Sequence, residues 1–161
     1  MATATLRRVF TVRALEKLIA LLETQADAAL GRSGVEFPAR TTPIVLLLAQ
    51  RGPLSAADVA RELAEAHQLV TQRINLLLDL KIVSRVADPH DARRKLLRIT
   101  PRGKKQLTLL SVGLEEAEAV FAVLFEEVGV DLETVAMQMI EALQRQSFLE
   151  RQLAVSRPRA R

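Results

Sequence analysis

From Thr3 to Leu30 the apolar positions Leu6, Val9, Phe10, Leu15, Leu18, Ile19, Leu22, Ala26 and Ala29 recur mostly at steps of three and four. That spacing predicts a long amphipathic helix, stopped at Gly31 by the turn Gly-Arg-Ser-Gly. A loop over 34–40 follows. The stretch TTPIVLLLAQRG then predicts a second helix with Thr42 as cap, Pro43 at its first position and Gly52 as its stop. Ile44 to Leu48 are apolar nearly all round, so this helix should be central. From Pro101 the pattern returns: Leu107, Leu110, Leu114, Ala117, Phe121, Leu124 and Val128 alternate steps of three and four. This is the heptad seam of a helix that packs against helices. After a break at Val128 to Asp131, with Asp131 as cap, one last helix presents Leu132, Val135, Ala136, Met139, Ile140, Leu143 and Leu153.

Between these long helices the periodicity shortens and changes kind. Ser55 caps a short helix in AADVARELAEA, with Val59, Ala60 and Leu63 as its buried face; Ala64 to Ala66 is a turn, and His67 to Leu80 is the next helix. In that helix Val70, Ile74 and Leu77 form an apolar stripe. Gln68, Gln72, Asn75 and Asp79 project from the opposite side, with Thr71 on the flank. Amides there can donate to and accept from adenine edges in a DNA major groove; a solvated helix face has the same pattern. Ile82–Val86 and Lys95–Thr100 then alternate about a turn-rich tip. They predict a β-hairpin, closed by Thr100-Pro101 into the following helix.

Charge sharpens this picture more than composition does. Between Arg85 and Lys105 there are eight Lys/Arg against two acids, whereas Val112 to Glu150 holds nine acids and one base, Arg145. One part of the chain can therefore approach a polyanion and another should face away from it. In the hairpin tip Asp91 and Arg93 are two residues apart, close enough for the carboxylate to orient the guanidinium. An Arg so held suits the negative potential of a narrow minor groove. The absence of cysteine removes disulfides, thiolate metal sites and catalytic thiols, and two histidines, His67 and His90, do not make a His-based site. His67 reads as a helix N-terminal contact and His90 as a solvated tip residue. With no Gly-rich phosphate loop and no His beside a nucleophile, an enzyme is the weakest reading, and no cofactor or metal is expected. The basic start, with Arg7, Arg8 and Arg13 ahead of Glu16, has the charge of a transit peptide. The apolar pattern runs unbroken through it, however, so it reads as folded helix of a cytoplasmic protein with no membrane span.

Over Leu63 to Thr100 the chain resembles the MarR family of winged-helix transcriptional regulators. The resemblance rests on helix, turn and helix ending in LLLDLKIVSRV, followed by DPHDARRKLLRITPRG. Asp88, Asp91 and Arg93 meet the family's Asp-x-x-Asp-x-Arg wing pattern, and Thr-Pro-x-Gly opens the next helix. The resemblance implies a mainly α fold with a small β-hairpin wing: a winged helix-turn-helix over 41–100, flanked by dimerisation helices at 3–30 and 101–155, all within one domain. A disordered basic tail at 156–161 completes the expectation. It further implies a homodimer on double-stranded DNA, with His67, Gln68, Thr71, Gln72 and Asn75 in the major groove and Asp91, Arg93, Arg94 and Lys95 in the wing. Leu15, Leu18, Leu22, Leu114, Phe121 and Leu143 would carry dimerisation, and a small-molecule effector would release the DNA.

Two departures keep a second reading open. Ala64 stands where this turn often has Gly, and Ala66 replaces the usual polar cap, forgoing about 1 kcal/mol. The groove helix has Arg73 as its one fixed cation, angled toward the apolar flank, while Leu69 and Leu76 sit on partly exposed positions. Leu69 fits a thymine methyl or a packing surface, so the alternative is a winged-helix protein–protein interaction module.

Overall fold

The computed structural model describes residues 7–91 and 93–156. It contains α1 (Thr11–Arg32), α2 (Thr42–Arg51), α3 (Ala56–Glu62), α4 (His67–Asp79), strands β1 (Val83–Ala87) and β2 (Lys95–Ile99), then α5 (Pro101–Val128), α6 (Leu132–Arg145) and α7 (Phe148–Ser156). The mainly helical fold with a hairpin wing expected from the sequence is present. The chain forms two compact units, residues 1–117 and 118–161, and α5 runs through the boundary.

The first unit holds the buried core. Ile44 and Val45 from α2, Val59 from α3, Val70, Ile74 and Leu77 from α4, Ile82 and Val83 beside the hairpin, Leu97 and Leu110 cluster together. Fully burying each such side chain contributes about 1.5–3 kcal/mol. The apolar stripe of α4 is thus its core side, as its spacing requires. Around the full turn of α2 the expectation is not met: Leu46 is exposed.

Helix ends depart from expectation for reasons local to the backbone. Helix α1 passes through Gly31 and ends at Arg32, because the left-handed conformation falls on Gly34, whose N–H donates to Gly31 O at 3.0 Å while Val35 N–H reaches Leu30 O at 3.0 Å. The start expected at Thr3 lies outside the described residues; Arg7–Phe10 is a 3-10 turn. The predicted loop over 34–40 is a packed segment: Val35 and Phe37 are buried, and the Gln106 amide clamps it, accepting from Glu36 N–H at 2.7 Å and donating to Gly34 O at 3.2 Å. Thr42 does not cap α2. It is the first helical residue, and the Thr41 hydroxyl at the capping position instead donates to Pro38 O at 2.7 Å.

The hairpin pairs Val83 with Ile99 through Ala87 with Lys95, antiparallel. Leu54 adds a third edge by exchanging backbone bonds with Leu97. Thr100 closes the sheet onto α5: its hydroxyl donates to Lys81 O at 2.7 Å and accepts Gly103 N–H at 2.9 Å. Gly103 is required there, since a Cβ would stand 2.2 Å from Ile82 O.

In the second unit the tail of α5 is followed by α6, capped by Asp131, which accepts Thr134 N–H at 3.0 Å and the Thr134 hydroxyl at 2.8 Å. The single last helix expected is two. Ser147 opens α7 through a reciprocal pair with Glu150, and Arg151 donates to Ala142 O and Gln146 O at the end of α6. No residue of α6 or α7 is buried. Beyond Ser156 the expected basic tail lies outside the described residues.

Candidate nucleic-acid interface

Helix α3, the Leu63–Ala66 turn and α4 make the helix-turn-helix. Ala64 takes φ +52°, a conformation in which its Cβ is crowded, so the usual Gly at this turn has a steric reason. Ala66 stands at the N-cap of α4 without a side-chain bond, leaving the first N–H groups of α4 uncapped by a side chain. A helix N-terminus with free donors suits a phosphate oxygen.

The polar face of α4 is placed as the spacing implies: His67, Gln68, Gln72 and Asn75 are exposed, and Thr71 is half-buried. The Thr71 hydroxyl is turned back to His67 O at 2.8 Å, which fixes it against its own helix. Leu69 is 42% exposed beside Gln72, three residues on. The one cation of the helix is absent from this face. Arg73 is only 16% exposed and donates to Glu65 at 2.5 Å, bracing the turn between α3 and α4.

In the wing the acids act on the backbone. Asp88 accepts His90 N–H and Asp91 accepts Arg93 N–H, each at 2.9 Å, so the carboxylate expected to hold the Arg93 guanidinium shapes the tip instead. Arg93 and Lys95 are exposed. Arg94, placed by the sequence in the DNA-contacting set, is exposed but paired with acids of the fold. Its Nη2 meets the Asp58 carboxylate and lies 3.3 Å from Ser55 Oγ, and its Nε is 3.8 Å from Asp88.

Asp58 is the centre of this latch. It accepts the Ser55 hydroxyl at 2.6 Å, Ser55 N–H at 3.1 Å and Arg61 at 2.7 Å. The Ser55 hydroxyl chiefly, with Arg61 and Arg94 behind it, holds its carboxyl well below the usual carboxylate range. The capping residue Ser55 was legible in the sequence; its link to the wing was not, because Asp58 and Arg94 are 36 residues apart.

A second pairing also escaped the sequence. Arg85 of β1 donates from Nη2 to Asn75 Oδ1 of α4 at 3.3 Å, bringing a strand cation to the amide face. The alternation of β1 puts Arg85 on the face of buried Val83 but does not say that α4 lies against that face.

Among the described residues no group of three or more His, Asp and Glu is placed to hold a metal, and no helix is long and apolar enough to cross a membrane. An open groove of about 680 Å³ lies beside the wing base, with Arg98, Lys104, Ser84 and Thr100 over Leu48, Ile99 and Leu107.

Residues 34–94, which span the helix-turn-helix, β1 and the hairpin tip, match the model of the MarR family. That stretch is similar to the winged helix of the MarR family. Solved structures agree over nearly its full length. A MarR family transcription regulator, SP03579, is 20% identical, covering 97% of this chain and 98% of its own at a TM-score of 0.61. The PcaV transcriptional regulator of Streptomyces coelicolor, in complex with its natural ligand, is 18% identical over 91% of this chain and 98% of its own, at 0.66. The heme sensor protein PefR of Streptococcus agalactiae, in complex with heme, is 17% identical over 87% and 96%, at 0.59. At these identities the likeness is one of fold. No curated protein sequence matches the chain.

Proposed function

We propose that this protein is a cytoplasmic, sequence-specific DNA-binding transcriptional regulator, a repressor that acts as a homodimer on a palindromic operator and is released by a small ligand. The observation that carries the reading is the juxtaposition of an exposed amide face on α4 with a wing whose Arg93 and Lys95 are exposed. Major-groove amides and a minor-groove guanidinium are complementary recognition elements. Dimerisation is supported by apolar side chains left open in one copy: Leu15, Phe121, Leu143 and Phe148 are all exposed, the last by 75%. A symmetric partner covers such faces economically. Of the other expected dimer residues, Leu18 and Leu22 are half-buried, and Leu114 packs against the core.

Ligand response is supported by the folds of PcaV and PefR, both solved with bound ligands. In this chain the groove at the wing base offers two cations over apolar walls, a fit for a small organic anion. Binding to operator should fall steeply with salt through counterion release, and Arg93→Ala should weaken it about tenfold while lowering the salt slope by about one. Full binding by that variant removes the wing from the interface.

A protein–protein interaction module is the second reading, favoured by the locked Arg73 and the exposed Leu69. Selection from a random duplex pool separates the two. Enrichment of a palindrome with half-sites about one helical turn apart supports the regulator, and no enrichment supports the module.

A further inference from the structure

We infer that Arg85 is a specificity-determining residue of the reading face: it fixes the Asn75 carboxamide as a hydrogen-bond donor, so this part of α4 takes a guanine edge rather than an adenine edge. The inference rests on the DNA-binding reading above and deepens it. Its starting point is the position of two cations. Arg73, the only one on α4, is spent on Glu65 within the fold. Arg85 stands on the next element, exposed, and reaches across to Asn75 at 3.3 Å.

The chemistry of the pair is one-sided. A guanidinium has only donors, so the amide atom facing it has to be the oxygen. The Asn75 NH2 is thereby turned away from Arg85. Reading adenine bidentately requires the amide to accept from N6–H as well as donate to N7; Arg85 takes one of the two lone pairs of that oxygen and sets its own N–H donors against the adenine N6–H, so the pair disfavours adenine. Guanine offers two acceptors, O6 and N7, on the same groove edge, matched to the NH2 of Asn75 and the remaining N–H groups of Arg85. Among the described residues Gln68 and Gln72 have no such neighbour and keep both donor and acceptor. The reading face is therefore divided between ambivalent amides at its start and a donor pair at Asn75.

The test is selection from a random duplex pool by the full-length protein, by Arg85→Ala and by Asn75→Asp, with thermal unfolding of each variant as the folding control. Asn75→Asp keeps a partner for Arg85 but removes the donors, so it carries the test even if Arg85→Ala folds poorly. The unaltered protein should enrich guanine at one position in each half-site. Both variants should lose preference at that position alone and bind the selected site about tenfold more weakly. Replacing that guanine by 7-deazaguanine, which lacks the N7 acceptor, should weaken the unaltered protein severalfold and leave Arg85→Ala unchanged. Adenine at the position, or retained guanine preference in either variant, overturns the inference and leaves the regulator reading standing. So does a uniform loss with Arg85→Ala across all sequences with the salt slope lower by about one, because that is a phosphate contact. Absence of any DNA binding by the unaltered protein overturns the regulator reading and this inference with it.

Discussion

Helices α2 and α4 of the first unit and α6 and α7 of the second use the same apolar periodicity to opposite ends. In residues 7–117 the repeats of α2, α4 and the first turns of α5 find partners within one copy, and Ile44, Leu77 and Leu110 are sealed from solvent. In residues 118–156 the same spacing leaves Phe121 38% and Leu143 44% exposed, and no residue of α6 or α7 is buried. The seam from Leu107 to Val128 passes from one regime to the other along a single helix. Periodicity therefore reports an apolar face; it does not report whether the same copy covers it.

The sharpest way to break this contrast is a charge on each side of it. If the proposed homodimer holds two half-sites at once, Leu143→Asp, and independently Phe121→Asp, should give a folded monomer by sedimentation and lower operator affinity about a hundredfold or more. Leu110→Asp should unfold the winged unit whatever the protein concentration, because a charge there has no route to water. A Leu143→Asp protein that remains dimeric removes α6 from the interface. On a smaller scale, two glycines of α5 test how rigid the core side is. Gly103→Ala should cost about 3 kcal/mol in urea denaturation, since its Cβ would meet the Ile82 carbonyl, which cannot yield. Gly113→Ala meets the Leu30 methyl at 2.8 Å, the free end of a side chain, and should cost about 1 kcal/mol. Equal losses would mean that Leu30 is held as firmly as backbone. Smallest is a gain: Ala64→Gly should stabilise the winged unit by about 0.5–1 kcal/mol by relieving φ +52°, and an unchanged urea midpoint would show the strain to be negligible.

Much of the fold could be read from the chain because it follows from local periodicity and punctuation. The stripe of Val70, Ile74 and Leu77, the Ser55 and Asp131 caps, and the hairpin at 83–99 all depend on residues a few positions apart. What escaped depends on distance or on a choice between equal signals. Gly31 and Gly34 are both plausible stops, and backbone bonds to Leu30 and Gly31 select the second. A continuous apolar pattern ran across Gln146 and Ser147, where Glu150 offered a new start. At the candidate interface the sequence placed the amide face and the basic tip but missed two pairings: Arg94 meets Asp58, and Asp91 serves the backbone of Arg93. Arg85 was invisible as a partner of Asn75, because strand alternation says which face a residue takes and not which helix lies against it.

The Asp58 latch has a consequence for distance rather than for charge. Arg94 leaves the wing at its tip and ends on α3, the helix just before α4, so the hairpin tip and α3 are fastened by the same carboxylate. A reader built this way carries a fixed ruler between its two probes. For the DNA-binding reading, an operator lengthened by one base pair between the amide-read bases and the wing's minor groove should lose binding, whatever its sequence, and loosening Asp58 should make the protein more tolerant of that spacing.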